Sequence, residues 1–424
     1  MKLSERIKSK LVKVNFTSIL FFAVSLISIT LAWFAYTNTV SSDMNIDLKA
    51  WNVKITRNNT EVNNTFTINI ADLYPGSPTF DETYTIHNTG DLAAKVSYNI
   101  KGLRVLNDYY FPQDVSFAKL ERDFPFVLSF THGSRYLAPG STSTFNVNCQ
   151  WPLDSGNDAL DAQYGQRAYE YYQNYPGQPG MEVQIEIVIS QYIDETNSFS
   201  TDSWDTIELA VEKGDTSKYN VGDTKTISMD VDGNGTNETY TLRLANKNSP
   251  TTPCSGSSNS QTACGFVVEF VNIIEKRSMN PTGTNVGGYP ASELYSYINT
   301  TLESKLPIDL QNVLAKTRVV SGYGSTDSTN FTSTNKLFLM SGIEVVGSDS
   351  NDTAASTTRQ LDYYEGKSTS DRIKKYNGSN AWYWLRPAFS ISYASFRCVA
   401  SDGRFDYGTA NISTRGVAPA FRIV

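Results

Sequence analysis

Histidine and cysteine are scarce in this chain of 424 residues, which contains two histidines, His87 and His132, and four cysteines. Neither histidine lies in an HExxH pattern, and the chain has no CxxC pair and no cysteine–histidine cluster. These absences exclude the common zinc-binding patterns and the usual metalloprotease motif. Because no GxSxG motif is present either, the sequence offers no recognisable catalytic set, and we expect no enzymatic activity.

Charged residues are also few, at 19% of the chain, and the net charge is −7. Basic residues beyond the first 13 positions are scattered along the chain, whereas a nucleic-acid-binding protein normally groups them on one face. We therefore expect no nucleic-acid partner. Apolar residues make up 40% of the chain, which is enough for packed cores. The length predicts two folded domains in addition to any targeting segment.

The N-terminal region has no charged residue between Val14 and Ser42, and five basic residues precede this run. Its centre, residues 17–37, is predominantly apolar and has about the length of 20 residues that a helix needs to cross a bilayer. The order of basic and apolar residues predicts that the N-terminus stays inside and the rest of the chain is exported. We interpret residues 1–43 as a cytoplasmic basic segment and a transmembrane helix that places the protein in the cell membrane. A cleaved signal peptide is the alternative.

Residues 44–196 have the pattern of an antiparallel β-sandwich. Apolar and polar residues alternate over residues 183–189, which is typical of a strand with one buried face. The tripeptide Pro-Gly-Ser occurs at residues 75–77 and 139–141, where it predicts turns between strands. A helix is expected within residues 157–173, although Gly165 weakens that pattern.

The end of the apolar N-terminal segment and the start of this region resemble the camelysin and TasA family of Gram-positive surface and biofilm-matrix proteins. The resemblance rests on residues 31–34 (Leu-Ala-Trp-Phe) and on the strand-like residues 45–55. It implies an exported protein and suggests a structural role in an extracellular matrix or fibre.

Residues 197–203 are polar and are interpreted as a linker to a distal domain, residues 204–424, which is expected to be of mixed α and β structure. Early in that domain a hairpin is predicted around Asp230, Asp232 and Asn234, which also open an EF-hand-like calcium loop. Thr241 stands where the loop requires a bidentate Glu, and the glycines between these residues also suit a tight turn. Both interpretations stay open, and calcium is the one cofactor that the sequence suggests.

Cys254 and Cys264 flank a short polar loop, and in an oxidising compartment this spacing is suited to a disulfide. Two free thiols on a loop are the alternative.

The C-terminal tail opens with residues 381–387 (Ala-Trp-Tyr-Trp-Leu-Arg-Pro) and closes with residues 415–423 (Arg-Gly-Val-Ala-Pro-Ala-Phe-Arg-Ile). These motifs resemble those of an uncharacterised bacterial surface domain ending in WLRSP…GVRPAF. That domain is in turn similar to the C-type-lectin-like fold of retroelement-diversified variable proteins. The resemblance implies a C-type-lectin-like distal domain, with Trp382, Trp384 and Phe421 in its core.

Between the two motifs lie side chains suited to recognition, because aromatic residues and arginine dominate binding hot spots. The predicted ligand-binding residues are Tyr393, Phe396, Arg397, Arg404, Phe405, Tyr407, Asn411 and Arg415. An ordinary core sheet is the alternative. Taken together, the sequence predicts a membrane-anchored surface protein whose distal domain binds an extracellular protein or glycan; a matrix or fibre subunit is the other possibility.

Overall fold

The structure is a computed structural model that describes residues 52–110 and 124–424. The predicted transmembrane helix at residues 17–37 lies outside the described residues. Within the described ranges, no helix has both the length and the apolar character needed to cross a bilayer. These ranges are mainly β, with several antiparallel sheets and few helices, which confirms the predicted mainly β class.

Ten strands form the N-terminal half of the described chain. They are β1 Val53–Arg57, β2 Thr60–Glu61, β3 Thr65–Ile70, β4 Phe80–Asn88, β5 Ala94–Val105, β6 Asp108–Tyr110, β7 Val127–His132, β8 Tyr136–Leu137, β9 Thr142–Gln150 and β10 Met181–Gln191. One sheet has the order β2-β1-β4-β9-β7, and the other has the order β3-β10-β5-β6 with β8 beside β5. Side chains of both sheets meet in one apolar core, which is consistent with the predicted sandwich.

The clearest sequence pattern of this half is found in β10. Val183, Ile185 and Ile187 are fully buried in the core, while the polar residues between them point to the other side. Both Pro-Gly-Ser segments precede strands as predicted, and Gly76 and Gly140 have φ angles of 76° and 74°. These left-handed turns favour glycine because a Cβ atom would be strained there.

A single long helix, α1 Asp158–Asn174, crosses one end of this core and confirms the helix predicted there. Asn157 caps it by accepting a hydrogen bond from the backbone N–H of Leu160. Gly165 lies inside the helix and faces the ring of Pro75, with which a Cβ atom would make an ordinary contact of 3.6 Å.

The distal half contains fourteen strands and six short α-helices in its described residues. The strands are β11 Thr224–Met229, β12 Glu238–Asn246, β13 Phe266–Phe270, β14 Glu275–Lys276, β15 Thr317–Ser321, β16 Phe331–Asn335, β17 Leu337–Phe338, β18 Lys374–Tyr376, β19 Ser379–Ala381, β20 Tyr383–Ala388, β21 Ser395–Val399, β22 Phe405–Thr409, β23 Gly416–Val417 and β24 Ala420–Ile423. The helices are α2 Trp204–Lys213, α3 Thr251–Cys254, α4 Glu293–Tyr297, α5 Glu303–Lys305, α6 Ile308–Val313 and α7 Gly342–Val346, with a π-helical turn at Ile298–Leu302 between α4 and α5.

Two five-stranded sheets organise this half, with the orders β11-β12-β13-β24-β17 and β14-β23-β20-β21-β22. Their apolar side chains pack with α2, α4 and α6 in one large core. Trp384 and Phe421 are fully buried in it, as predicted, whereas Trp382 lies at its edge and is only half-buried. The second sheet brings the tail motifs together, since β20, β21, β22 and β23 all come from the tail.

The predicted linker at residues 197–203 is wrong in one respect, because these residues do not form a free tether. Phe199 is fully buried and packs against Trp204 and Tyr219. The buried carboxylate of Asp202 accepts a hydrogen bond of 2.8 Å from the hydroxyl of Tyr219. The polar composition of residues 197–203 gave no sign of this anchoring, because the single aromatic side chain of Phe199 provides most of the buried area of the segment.

α6 ends at Val313, after which the chain extends and the N–H of Ala315 donates to the carbonyl of Arg422. β17 is followed closely by Ser341, which caps α7.

Candidate functional site

The β21–β22 hairpin carries several of the predicted ligand-binding residues. Arg397 lies directly opposite Tyr407 in the antiparallel register. Because side chains alternate across a strand, Phe405 and Tyr407 share one face of the hairpin with Arg397, and Phe396 points to the other face. That other face is packed against the main core, in which Phe396 is fully buried. The prediction that Phe396 contacts a ligand is therefore corrected: it holds the hairpin to the core.

On the outer face, four side chains stack to form what we call the aromatic column: Phe405, Arg397, Phe389 and Tyr407. The guanidinium carbon of Arg397 lies 3.7 Å from the ring centre of Phe405 and 5.1 Å from that of Phe389. The ring of Phe389 is stacked on that of Tyr407, with 4.4 Å between the ring centres and 21° between the planes. Cation–π and stacking contacts of this kind restrict all four side chains. Tyr407, at the end of the column, is 50% exposed.

Asp349 lies on the buried side of the aromatic column and holds it in place through Arg397. Its carboxylate accepts a hydrogen bond of 3.0 Å from Nε of Arg397, and both side chains are buried. Burial raises the pKa of Asp349, while the positive charge of Arg397 acts in the opposite direction. The predicted ligand contact by Arg397 is also corrected, because its exposure is only 7%. Arg397 is a positioning residue, and the exposed ring of Tyr407 is what a ligand can touch.

The loop between β20 and β21 presents a second exposed aromatic residue. Tyr393 is 66% exposed and the neighbouring Ile391 is 72% exposed. The backbone beneath them is held by Asn285, whose side-chain amide donates to the carbonyls of Ser392 and Ser395 at 2.8 and 2.9 Å. This loop starts at Phe389, which belongs to the aromatic column. Tyr393 is therefore carried on a fixed backbone next to the column.

The other predicted residues are divided between the two sides of the hairpin. Arg404 is exposed beside the column and pairs with Asp402 at 2.7 Å. Asn411 is exposed in the turn after β22. Arg415 is half-buried on the opposite side of β22, where its guanidinium lies over Trp382.

The arginine of the first tail motif has an architectural role that the sequence did not reveal. Arg386 is 1% exposed and forms a bidentate ion pair with Glu344, with both N–O distances at 2.6 Å. It also donates to the carbonyls of Val320 and Leu339. Burial disfavours ionisation of Glu344, but Arg386 and hydrogen bonds from Thr262 and Ser341 outweigh it and lower the pKa of that carboxyl. An arginine inside a fully apolar run was the one available signal, because such a residue requires a buried partner.

A second buried charge cluster surrounds Glu269 in β13. Its carboxylate accepts hydrogen bonds from Arg243, Lys374 and the hydroxyl of Tyr364. Burial disfavours the charged form of Glu269, yet the two cations lower its pKa overall. This cluster links β12 and β13 to the segment before β20, and its members lie inside the protein.

The predicted calcium loop forms the turn between β11 and β12. Asp230 accepts hydrogen bonds from the backbone N–H groups of Gly233, Asn234 and Gly235, and these bonds lower the pKa of its carboxyl. The side chain of Asn234 takes part in the same turn by donating to Asp232. Carboxylate oxygens of Asp230, Asp232 and Glu238 lie within 4.8 Å of one another, which adds Glu238 to the acidic residues of this turn. The turn interpretation accounts for these contacts, and calcium binding stays a prediction.

Cys254 and Cys264 are joined by a disulfide, as the spacing predicted. Cys149 and Cys398 are free and buried. Burial raises the pKa of the Cys398 thiol to about 12, which keeps it protonated and poorly nucleophilic near neutral pH.

The described part of the chain is thus a β-rich protein whose distal half holds exposed aromatic residues on a fixed hairpin. Residues 267–424 match the family model described as Domain of unknown function (DUF6273). This match covers well under half of the chain and includes the aromatic column and Arg386. No curated protein and no solved structure matches the chain.

Proposed function

We propose that this chain is an exported, membrane-anchored surface protein whose distal domain binds an extracellular ligand through the aromatic column and the neighbouring Tyr393. The single observation that carries this proposal is the combination of exposed tyrosine rings with a buried, ion-paired support. The rings of Tyr393 and Tyr407 are largely open to solvent, while Arg397 and Asp349 beneath the column are buried.

This construction favours binding because little conformational freedom is left to lose. Tyrosine offers a large contact area with only two side-chain torsions, and a ring that is already stacked is restricted before the ligand arrives. Phe389 restricts Tyr407 in this way. Exposed Arg404, which precedes Phe405 at the other end of the column, adds hydrogen-bond donors and a positive charge. The predicted C-type-lectin-like character of this domain belongs to the same proposal.

Two features support export. The uncharged run at residues 14–42 follows a basic segment, which is the order expected of a transmembrane or signal segment. The disulfide between Cys254 and Cys264 is of the kind that persists in oxidising compartments outside the cytosol. Protease treatment of intact cells should therefore degrade the distal domain.

Binding is tested with the full-length chain on a glycan array and in pull-downs from a panel of surface proteins. The double variant Tyr393→Ala/Tyr407→Ala should lose most of the binding that the unaltered chain shows. The matched control is Tyr109→Ala/Tyr169→Ala, which removes two similarly exposed tyrosines of the N-terminal half and should bind normally.

Three results would count against the proposal: no binding to either panel, equal binding by both double variants, or fibre formation by the purified chain without ligand binding. The last result would favour a structural matrix subunit instead.

A further inference from the structure

Two arginines meet at the edge of the main core, on the side of β22 that faces away from the aromatic column. β14 pairs antiparallel with β23, and the N–H of Arg277 donates to the carbonyl of Arg415 at 2.9 Å. Arg277 and Arg415 are therefore cross-strand neighbours whose side chains lie on the same face. Like charges in this position are unfavourable unless something compensates them.

Each guanidinium is stacked on an aromatic ring. Arg277 lies 3.8 Å from the ring centre of Tyr297, and Arg415 lies 3.9 Å from that of Trp382. Stacking occupies the flat face of a guanidinium and leaves the N–H groups at its edge available for hydrogen bonds. Both guanidinium groups are thus held in place and still have N–H groups available for hydrogen bonds.

The hydrogen bonds at this place are incomplete. Nε of Arg277, Nε of Arg415 and Oε1 of Glu275 are buried and have no hydrogen-bond partner. Glu275 approaches Arg277 only to 3.6 Å, and no carboxylate in the described ranges lies within 4.0 Å of the Arg415 guanidinium. In the described ranges, Glu275 is thus the one carboxylate within 4.0 Å of either guanidinium. Buried polar atoms normally have partners, so these three atoms leave hydrogen-bonding capacity for a bound group.

We infer that Arg277 and Arg415 form a binding site for an oxyanion, such as a sulfate, phosphate or carboxylate group. An oxyanion accepts several charge-assisted hydrogen bonds from guanidinium edges and offsets the excess positive charge. Arg277 is 37% exposed at its side chain, so the site is open to solvent.

This site is separate from the aromatic column. Gly408 lies in β22 between Tyr407 and Thr409. A Cβ atom on Gly408 would lie 3.5 Å from Nε of Arg415, so this face of β22 is directed toward Arg415. Tyr407 points the opposite way, so either site can be disproved without affecting the other. The sequence marked Arg415 as a binding residue but missed Arg277, which lies far from it along the chain.

The test is calorimetric titration of the full-length chain with sodium sulfate, phosphate, acetate and glucuronate at constant ionic strength, with glucose as the neutral probe. The anions should bind and glucose should not. Arg415→Gln and Arg277→Gln should each weaken binding by roughly ten-fold or more, because each removes charge-assisted hydrogen bonds. Arg415→Lys should weaken it less, since the charge is kept while the planar fork is lost.

Arg57→Gln is the matched control, because Arg57 is half-exposed and already paired with Glu82 in the N-terminal half; it should bind like the unaltered chain. Tighter binding of glucuronate than of acetate would support an acidic sugar as the source of the anion, and equal binding would support the oxyanion alone. The inference is overturned if the unaltered chain shows no preference for these anions over chloride, or if Arg415→Gln binds as tightly as Arg57→Gln. The comparison with chloride uses only the unaltered chain, so it tests the inference even if a variant fails to fold.

Discussion

At the scale of single residues, the distal domain depends on charges that are buried in pairs. Arg386 and Glu344 are fully desolvated, and each satisfies the other in a bidentate contact. A buried ion pair adds little net stability compared with an apolar pair of the same size, but removing one partner leaves an uncompensated charge. The pair therefore contributes more to fixing the relative positions of β20 and α7 than to the free energy of unfolding.

We predict that Arg386→Met lowers the free energy of unfolding by about 3–5 kcal/mol, because Glu344 is left buried and unpaired. Urea unfolding of the full-length chain, followed by tryptophan fluorescence, measures the loss. Arg404→Met is the control and should change the midpoint little, since Arg404 is exposed. The double variant Arg386→Met/Glu344→Leu should recover part of the loss. If Arg386→Met unfolds at the same urea concentration as the unaltered chain, the pair has no such role.

Asp352 provides a prediction for pH. Burial raises the pKa of its carboxyl to about 6, against a hydrogen bond from the N–H of Ala354 that lowers it. A carboxyl whose pKa is higher in the folded state contributes stability that is fully present below its ordinary pKa of 3.8. That contribution is lost as the pH rises through about 6.

Asp352→Asn keeps the acceptor for Ala354 and cannot ionise, so it should raise the free energy of unfolding by about 2 kcal/mol at pH 8 and change it little at about pH 3.5. Unfolding curves at both pH values measure the difference. Asp154→Asn is the matched control, because Asp154 makes the same type of bond to Gly156 on the surface. A gain of the same size at both pH values would mean that ionisation of Asp352 is not the cause.

At the scale of elements, the sequence predicted those strands and helices whose formation depends on residues close together in the chain. The alternation in β10 and the cap at Asn157 are local signals, and the structure has the expected strand and helix. The aromatic column could be predicted only in part. Tyr407 was identified by residue type, but its support by Asp349 depends on a contact between residues far apart in the chain. Which face of β21 is buried also depends on long-range packing, and for that reason Phe396 was assigned to the wrong side.

The disulfide loop gives an element-scale prediction. Thr262, inside the loop closed by Cys254 and Cys264, donates to Glu344, so the loop is tied to the buried ion pair. Cys254→Ser/Cys264→Ser should lower the free energy of unfolding by about 2–3 kcal/mol, because the unfolded chain is no longer closed into a short loop. Chemical denaturation with and without reductant measures this.

Reductant should destabilise the unaltered chain by a similar amount and leave the double variant unchanged. The remaining cysteines, Cys149 and Cys398, are buried and free in both proteins, so they serve as an internal control. Sensitivity of the double variant to reductant would contradict the assignment of the effect to this disulfide.

At the scale of the whole molecule, one arginine joins the N-terminal half to the distal half. Arg135, just before β8, forms ion pairs with Asp205 and Glu208 of α2. Lys95 of β5 pairs with Asp205 as well, at 2.5 Å. Glu212, one turn further along α2, accepts hydrogen bonds from the backbone N–H groups of Arg135 and Tyr136. Glu208 is only 5% exposed, and this burial raises the pKa of its carboxyl to about 7 even though Arg135 lowers it.

Because these contacts join α2 to the sheet of the N-terminal half, we expect the two halves to unfold together. Arg135→Met removes the cation from between Asp205 and Glu208 and leaves the buried Glu208 without its ion-pair partner. The variant should therefore unfold in two separate thermal transitions where the unaltered chain shows one, and protease should cut it near residues 194–203. Scanning calorimetry and limited proteolysis measure both effects. Arg57→Met is the control, because Arg57 pairs with Glu82 within the N-terminal half and its loss does not affect α2. If Arg135→Met still unfolds in one transition, the coupling between the halves rests on the contacts that remain, such as those of Lys95 with Asp205 and of Tyr136 with Glu212, and not on this arginine.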